Sequence, residues 1–193
     1  MALNDYAVID DLLQLHDYQN IKAFFIQKII EDDFAKAGIG ANGNRIIQSE
    51  IRGDFVYWLN STVDVELEVY FSFMEALSKN IKERCFISLT GNELHLALYP
   101  PGSFYKKHLD QFKHRNNRQI SVIFYMNDLW ETGDGGELCI YQAGKNDVLI
   151  EPKANRCVVF KSDCLEHAVL KTQKDRYSIT GWLLRKPVGL EFL

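Results

Sequence analysis

The chain has 193 residues, 47% of them apolar and 25% charged, which is the make-up of one globular domain with a real core. A net charge of −4 and a pI near 5.7 argue against a nucleic-acid partner, since phosphate binding wants a basic face. No apolar run approaches membrane-spanning length, and the acidic start MALNDYAVIDDLLQLHD lacks the basic opening and apolar core of a secretion signal. Residues 1–85 carry two helical patterns. In DYQNIKAFFIQKIIEDDFAKAG the apolar positions Ile21, Phe24, Phe25, Ile29 and Ile30 recur at helical spacing, and Gly38 offers a stop. Next comes GANGNRIIQSEIRGDFVYWL, a glycine-rich loop or hairpin with polar tips. In NSTVDVELEVYFSFMEALSKNIKERC, Ser61 or Thr62 can cap a second helix whose stripe is Val65, Val69, Phe73, Ala76, Leu77 and Ile81. Both stripes predict core faces.

From about residue 86 the pattern is strand after strand: LHLALY, SFYKKHLDQF, RQISVIFYMN, ELCIYQ, DVLIEPK, RCVVFKS, HAVLKT and RYSITGWLL. Turn chemistry separates them, notably ETGDGGE, AGKND and KSD. Short strands at this density predict a sandwich or barrel of jelly-roll type. No linker divides the halves and no internal repeat is evident. The expected plan is α+β, one domain over 1–193, with residues 1–85 as mainly helical support and 86–185 as a double-stranded β-helix (jelly-roll) core. Cys85, Cys139, Cys157 and Cys164 show no CxxC spacing and read as reduced thiols in a cytoplasmic setting, each a small core hydrophobe.

HLD, residues 108–110, carries the first chemistry. In an extended strand His108 and Asp110 project to one face while Leu109 turns away. Such a pair is either hydrogen-bonded to itself or two ligands of a metal, and two ligands need a third. His167, at the head of HAVLKT, can supply it if the chain returns beside itself, as a jelly roll does. Two histidines and one carboxylate make a facial triad that leaves adjacent positions open, a set suited to Fe(II). Arg176 follows nine positions after His167, at the start of a strand whose alternate positions are Ser178, Thr180 and Trp182. An inward arginine must find an anion. A fixed internal Asp or Glu is one answer; the carboxylate of a cosubstrate is the other.

YPPGSFYKKHLD, FYMNDLW, GGELCIY, IEPKANRCVVFKSDCLEHAV and RYSITGWLL together resemble the 2-oxoglutarate- and Fe(II)-dependent oxygenases. Within them the chain is most similar to prolyl 4-hydroxylases of the hypoxia-inducible-factor type and their bacterial relatives. The segment IRGDFVYWL resembles that branch's RGD…W element, so the likeness covers roughly residues 45–185.

The resemblance implies iron ligands His108, Asp110 and His167. It implies that Arg176 and the phenol of Tyr125 bind the distal carboxylate of 2-oxoglutarate, with Tyr99 near the metal-binding end. Ile123, Leu138, Val169 and Trp182 would line the same pocket, though Tyr99, Tyr125 and Trp182 taken alone also read as core aromatics. His95 shares the face of Ala97 and Tyr99, where related enzymes more usually carry an apolar residue, and reads as a pocket-wall or structural histidine. His114 and the run Lys113–Arg115 read as solvated loop. By the same likeness the loop Gly40–Gly53 covers the active site. Arg52 and Asp54 either pair with each other or bind substrate, and an adhesion role for RGD does not suit the chain.

The implied activity is hydroxylation of a prolyl residue in a protein or peptide, with release of succinate and CO2. Fe(II), 2-oxoglutarate and O2 are required, ascorbate is able to serve as reductant, and elongation factor Tu is one implied target. Two alternatives stand beside it: the same chemistry on a small molecule or another side chain, and a non-catalytic module that senses 2-oxoglutarate or oxygen.

Overall fold

The computed structural model describes residues 4–38, 50–111 and 117–185. Most of the Gly40–Gly53 loop, and His114 with its basic neighbours, lie outside the described residues. The first apolar stripe forms α1, Leu15–Ile30, which buries Tyr18, Ile21, Phe24 and Phe25. The helix ends well before Gly38. Asp32 takes a positive φ of 58°, and Lys28 is ion-paired with both Glu31 and Asp33, so the chain leaves the helix at its paired aspartates.

The second helix, α2, spans Glu68–Cys85 behind a 3-10 turn at Val65–Leu67. Its start is later than the cap expected at Ser61 or Thr62. Asp64 accepts from the Asn60 backbone N–H and the Tyr57 hydroxyl, which fixes residues 60–64 as a turn instead. The buried face is also rotated from the expected stripe. Leu67, Tyr70, Met74 and Ile81 are buried, while Val65 and Val69 are 61% and 43% exposed. A 3-10 turn advances three residues per turn, and that changes the phase with which the following helix meets the core.

All eight expected strands form: β4 (Gly91–Tyr99), β5 (Tyr105–His108), β6 (Arg118–Tyr125), β7 (Leu138–Ile140), β8 (Val148–Ile150), β9 (Cys157–Lys161), β10 (His167–Val169) and β11 (Arg176–Leu184). Among the described residues three further strands lie upstream: β1 (Tyr6–Ile9), β2 (Ala35–Lys36) and β3 (Phe55–Trp58), the last within the segment read as a loop or hairpin. They make a seven-stranded sheet in the order β1-β9-β6-β11-β4-β3-β2 and a four-stranded sheet in the order β5-β10-β7-β8. Every pairing between neighbours is antiparallel, giving the α+β jelly roll expected from the strand pattern.

The large sheet has two unlike faces because side chains alternate along each strand. Leu94, Leu96, Ile120, Val122, Phe124, Val159, Ile179 and Leu183 pack in one cluster with the buried stripes of α1 and α2. Phe124 is fully buried there, edge-on to Tyr18 at 6.3 Å and tilted against Tyr70 at 5.6 Å. Burying one such side chain contributes about 1.5–3 kcal/mol. The opposite face looks across to the small sheet, where Ile123, Tyr125, Val158 and Phe160 meet Leu138, Ile140 and Ile150. The site lies on this inner side.

Candidate metal centre

β5 ends at His108 and β10 begins at His167, and the strand register sets these two residues opposite each other. The strand does not continue through Asp110, as the extended reading of HLD assumed; the chain bends at residues 110–111. The bend brings the carboxylate between both imidazoles. Asp110 Oδ1 lies 3.6 Å from His108 Nε2 and Oδ2 lies 3.6 Å from His167 Nε2. One nitrogen or oxygen from each of the three lies within 4.8 Å of the others.

Backbone carbonyls orient the rings. His108 Nδ1 is 2.7 Å from the Lys106 carbonyl oxygen, and His167 Nδ1 is 3.1 Å from that of Leu165. With the proton on Nδ1, each N–H donates to its carbonyl and each Nε2 lone pair faces Asp110. The Ser121 hydroxyl donates to Asp110 Oδ2 at 2.6 Å, and Ser162 stands 2.8 Å behind it. Burial opposes charge on Asp110, but His167, His108 and the Ser121 hydroxyl outweigh it and hold the carboxyl well below the usual range. Burial likewise lowers the pKa of His167, against the pull of Asp110. An ionised carboxylate between two imidazoles whose Nε2 atoms face it is a donor set that fits Fe(II).

Arg176 opens β11 opposite Tyr99 of β4 and is 1% exposed. Its Nε donates to the Gly136 carbonyl at 2.8 Å, and its guanidinium lies 5.0 Å from the Tyr99 ring centre and 4.9 Å from that of Tyr125. Among the described residues no carboxylate pairs with Arg176, and neither its Nη2 nor Tyr125 Oη finds a hydrogen-bond partner. An unpaired buried guanidinium is costly, by several kcal/mol. The internal Asp or Glu that would have been the ordinary answer is not among the described residues, so charge and geometry both fit an anionic carboxylate bound from outside. Gly136 makes the approach possible: its φ is +67°, and a Cβ there would sit 3.1 Å from Arg176 Cδ.

Tyr99, Ile123, Tyr125, Leu138, Val169 and Trp182 are all buried. Strand register groups several of them on the inner face, with Ser178 opposite Tyr125, Thr180 opposite Ile123 and Trp182 opposite Ser121. His95 stands outside the histidine–carboxylate cluster. It stacks on Trp182 at 5.4 Å and tilts against Trp58 at 4.9 Å. Arg52 and Asp54 form a two-pronged pair, Nε to Oδ1 at 2.7 Å and Nη2 to Oδ2 at 2.5 Å, with Asp54 1% exposed. Two neighbours of the site escaped the sequence reading. Ser121 was findable, since it shares the alternating face of Ile123 and Tyr125; Tyr105, stacked on His108 at 3.7 Å, depends on a strand irregularity that no local pattern announces. Among the described residues no helix is long and apolar enough to cross a membrane.

The family model of the 2OG-Fe(II) oxygenase superfamily matches residues 94–184, the span from β4 to the end of β11. The chain is similar to a hypoxia-inducible factor prolyl hydroxylase of Caenorhabditis elegans, 28% identical over 96% of this chain, of which it spans 27%. Among solved structures it resembles a Pseudomonas putida prolyl-4-hydroxylase, at 30% identity and a TM-score of 0.87, over 96% of this chain and 95% of that one. A prolyl hydroxylase from Trichoplax adhaerens, solved with a hypoxia-inducible factor peptide, shares the fold at 24% identity and a TM-score of 0.87, covering 96% of this chain and 86% of that one.

Proposed function

The chain belongs to the 2OG-Fe(II) oxygenase superfamily, and from that premise we propose that it hydroxylates a prolyl residue of a protein or peptide substrate. One observation carries the assignment of roles: a buried guanidinium with no carboxylate partner among the described residues stands in the same barrel as a His–Asp–His cluster. When bound, Fe(II) and 2-oxoglutarate supply the activation of dioxygen, with decarboxylation of 2-oxoglutarate to succinate and CO2 and delivery of hydroxyl to the substrate.

The chain's own residues do the rest. His108, Asp110 and His167 would hold the metal through Nε2, a carboxylate oxygen and Nε2. Arg176 would donate from Nη2 to the far carboxylate of 2-oxoglutarate, joined by the Tyr125 hydroxyl, a charge-assisted contact that fixes the cosubstrate's orientation. Tyr99 remains a protonated phenol, because burial raises its pKa well above the ordinary value, and so can donate toward the near end. Ile123, Leu138, Val169 and Trp182 would exclude water from the pocket. One domain over the whole chain agrees with the continuous packing of both helices on the large sheet. A reducing, cytoplasmic compartment agrees with four thiols that stand apart.

Prolyl specificity is favoured over a small-molecule substrate by likeness to prolyl hydroxylases along nearly the whole chain. The test is an anaerobic visible titration with Fe(II) and 2-oxoglutarate, then air, with succinate assayed and proline peptides followed by mass. Peptides from elongation factor Tu belong in that panel. A charge-transfer band needing both additions, and a peptide heavier by one oxygen at proline, would carry the proposal. A band whose decay yields succinate only with a small molecule would replace it with the second reading, and no band at all would remove the iron site.

A further inference from the structure

The two histidines of the cluster are held in unequal ways. The side chain of His167 is 5% exposed and meets the edge of Phe160 at 4.7 Å, whereas that of His108 is 18% exposed at the end of an edge strand. What covers His108 is Tyr105, whose ring stacks on the imidazole at 3.7 Å between centres and 17° between planes. Residues three apart in a regular strand face opposite ways. Here they meet because the pairing of β5 with β10 is irregular: His167 stands opposite His108 but Val169 opposite Tyr105, so three steps along β5 answer two along β10. An extra residue of this kind re-aims a side chain, as bulges beside functional sites do.

A second layer backs the first. The guanidinium of Arg52 lies 4.4 Å from the centre of the Tyr105 ring, and Asp54 grips it by two hydrogen bonds. The backbone holds the layers in register. Residues 51–53 run along the free side of β5, with an antiparallel bridge Arg52–Tyr105, Lys106 N–H donating to the Ile51 carbonyl at 2.9 Å, and Gly53 N–H donating to that of Phe104 at 3.0 Å. The approach is close at Gly53, where a Cβ would sit 3.1 Å from Ser103 Oγ.

We propose that Tyr105 and Arg52 are positioning residues for the metal centre: the stack Asp54–Arg52–Tyr105–His108 fixes the plane of the His108 imidazole and sets the affinity and geometry of the site. The inference rests on His108 being a ligand, as proposed above. It assigns the RGD segment a task inside the protein, since its aspartate is buried and both charged groups are turned on each other. The stack acts on the ring face while the Lys106 carbonyl acts on Nδ1, so the two restraints are independent.

The test is Co(II) binding to the metal-free protein, followed by calorimetry and by the visible ligand-field bands, with folding checked by far-UV circular dichroism. Tyr105→Leu removes the flat partner and is expected to weaken Co(II) by roughly 10- to 100-fold and to shift the bands, as loss of an orienting neighbour does. Tyr105→Phe keeps the ring and is expected to keep both affinity and bands. Arg52→Lys keeps the charge beside buried Asp54 but loses the planar fork, and is expected to weaken Co(II) by about threefold or more. This variant decides the matter if Tyr105→Leu does not fold. Folded variants with wild-type affinity and bands would overturn the positioning role alone. Failure of the wild-type protein to bind Co(II) would overturn the iron-site reading, and this inference with it.

Discussion

The two faces of the large sheet are made from the same strands and do opposite work. Along β11, Ile179 and Leu183 enter the apolar cluster with the helices, while Arg176, Ser178 and Trp182 turn inward. Along β6, Ile120, Val122 and Phe124 face the helices, while Ser121 and Tyr125 face the site. Among the described residues the helical face leaves the Tyr70 hydroxyl without a hydrogen-bond partner. The inner face keeps a guanidinium, a phenol and a carboxylate buried. Stability and chemistry are thus divided by a period of two, and a shift of one residue in any strand would exchange them.

That division can be broken in both directions. His108→Ala should abolish the band that needs Fe(II) and 2-oxoglutarate together, while leaving the thermal transition of the metal-free protein in place; a collapsed fold would mean that the inner face also carries stability. Phe124→Ala should do the reverse, costing about 3–5 kcal/mol in denaturant unfolding, with unchanged affinity for 2-oxoglutarate in the fraction that stays folded. Arg176→Met should weaken 2-oxoglutarate by roughly 10- to 150-fold, the equivalent of about 1.5–3 kcal/mol for a hydrogen bond to a charged group. The same variant should leave the Tm of the cosubstrate-free protein level or higher, because a buried unpaired charge is removed. The smallest effect belongs to the rim, which serves neither face. Its hydrogen bond to Arg156 holds the Asp10 carboxyl below its ordinary pKa. A lowered folded value means stability that is present above the ordinary carboxylate range and lost as pH falls through the folded value. Asp10→Asn should therefore cost less than about 1 kcal/mol at neutral pH, and the difference from wild type should vanish in acid titrations.

The sequence made the inner barrel easy to read and its supports hard. Alternation and turn residues located β4 to β11, because each strand's pattern is local and glycines such as Gly136 mark positions that only they can take. β1 is four residues in an acidic stretch, and it exists because it pairs with β9, far along the chain. β2 is two residues long and pairs with β3. The face of α2 was misread because Val65 and Val69 imitate a stripe that the 3-10 turn rotates outward. At the site, the residues of the His108–Asp110–His167 cluster and the buried Arg176 were legible as residue types at telling positions. The stack on His108 was not, since it needs both the irregularity in β5 and a segment from the other half of the chain.

β11 lies between β4 and β6 at the centre of the large sheet and also carries Arg176. A chain made only as far as Asp110 lacks His167 and Arg176, and its sheet lacks the middle strand. Closing these long sequence separations is slow by the nature of the topology. A metal held by His108, Asp110 and His167 together would bind the assembled barrel and would not template its early assembly.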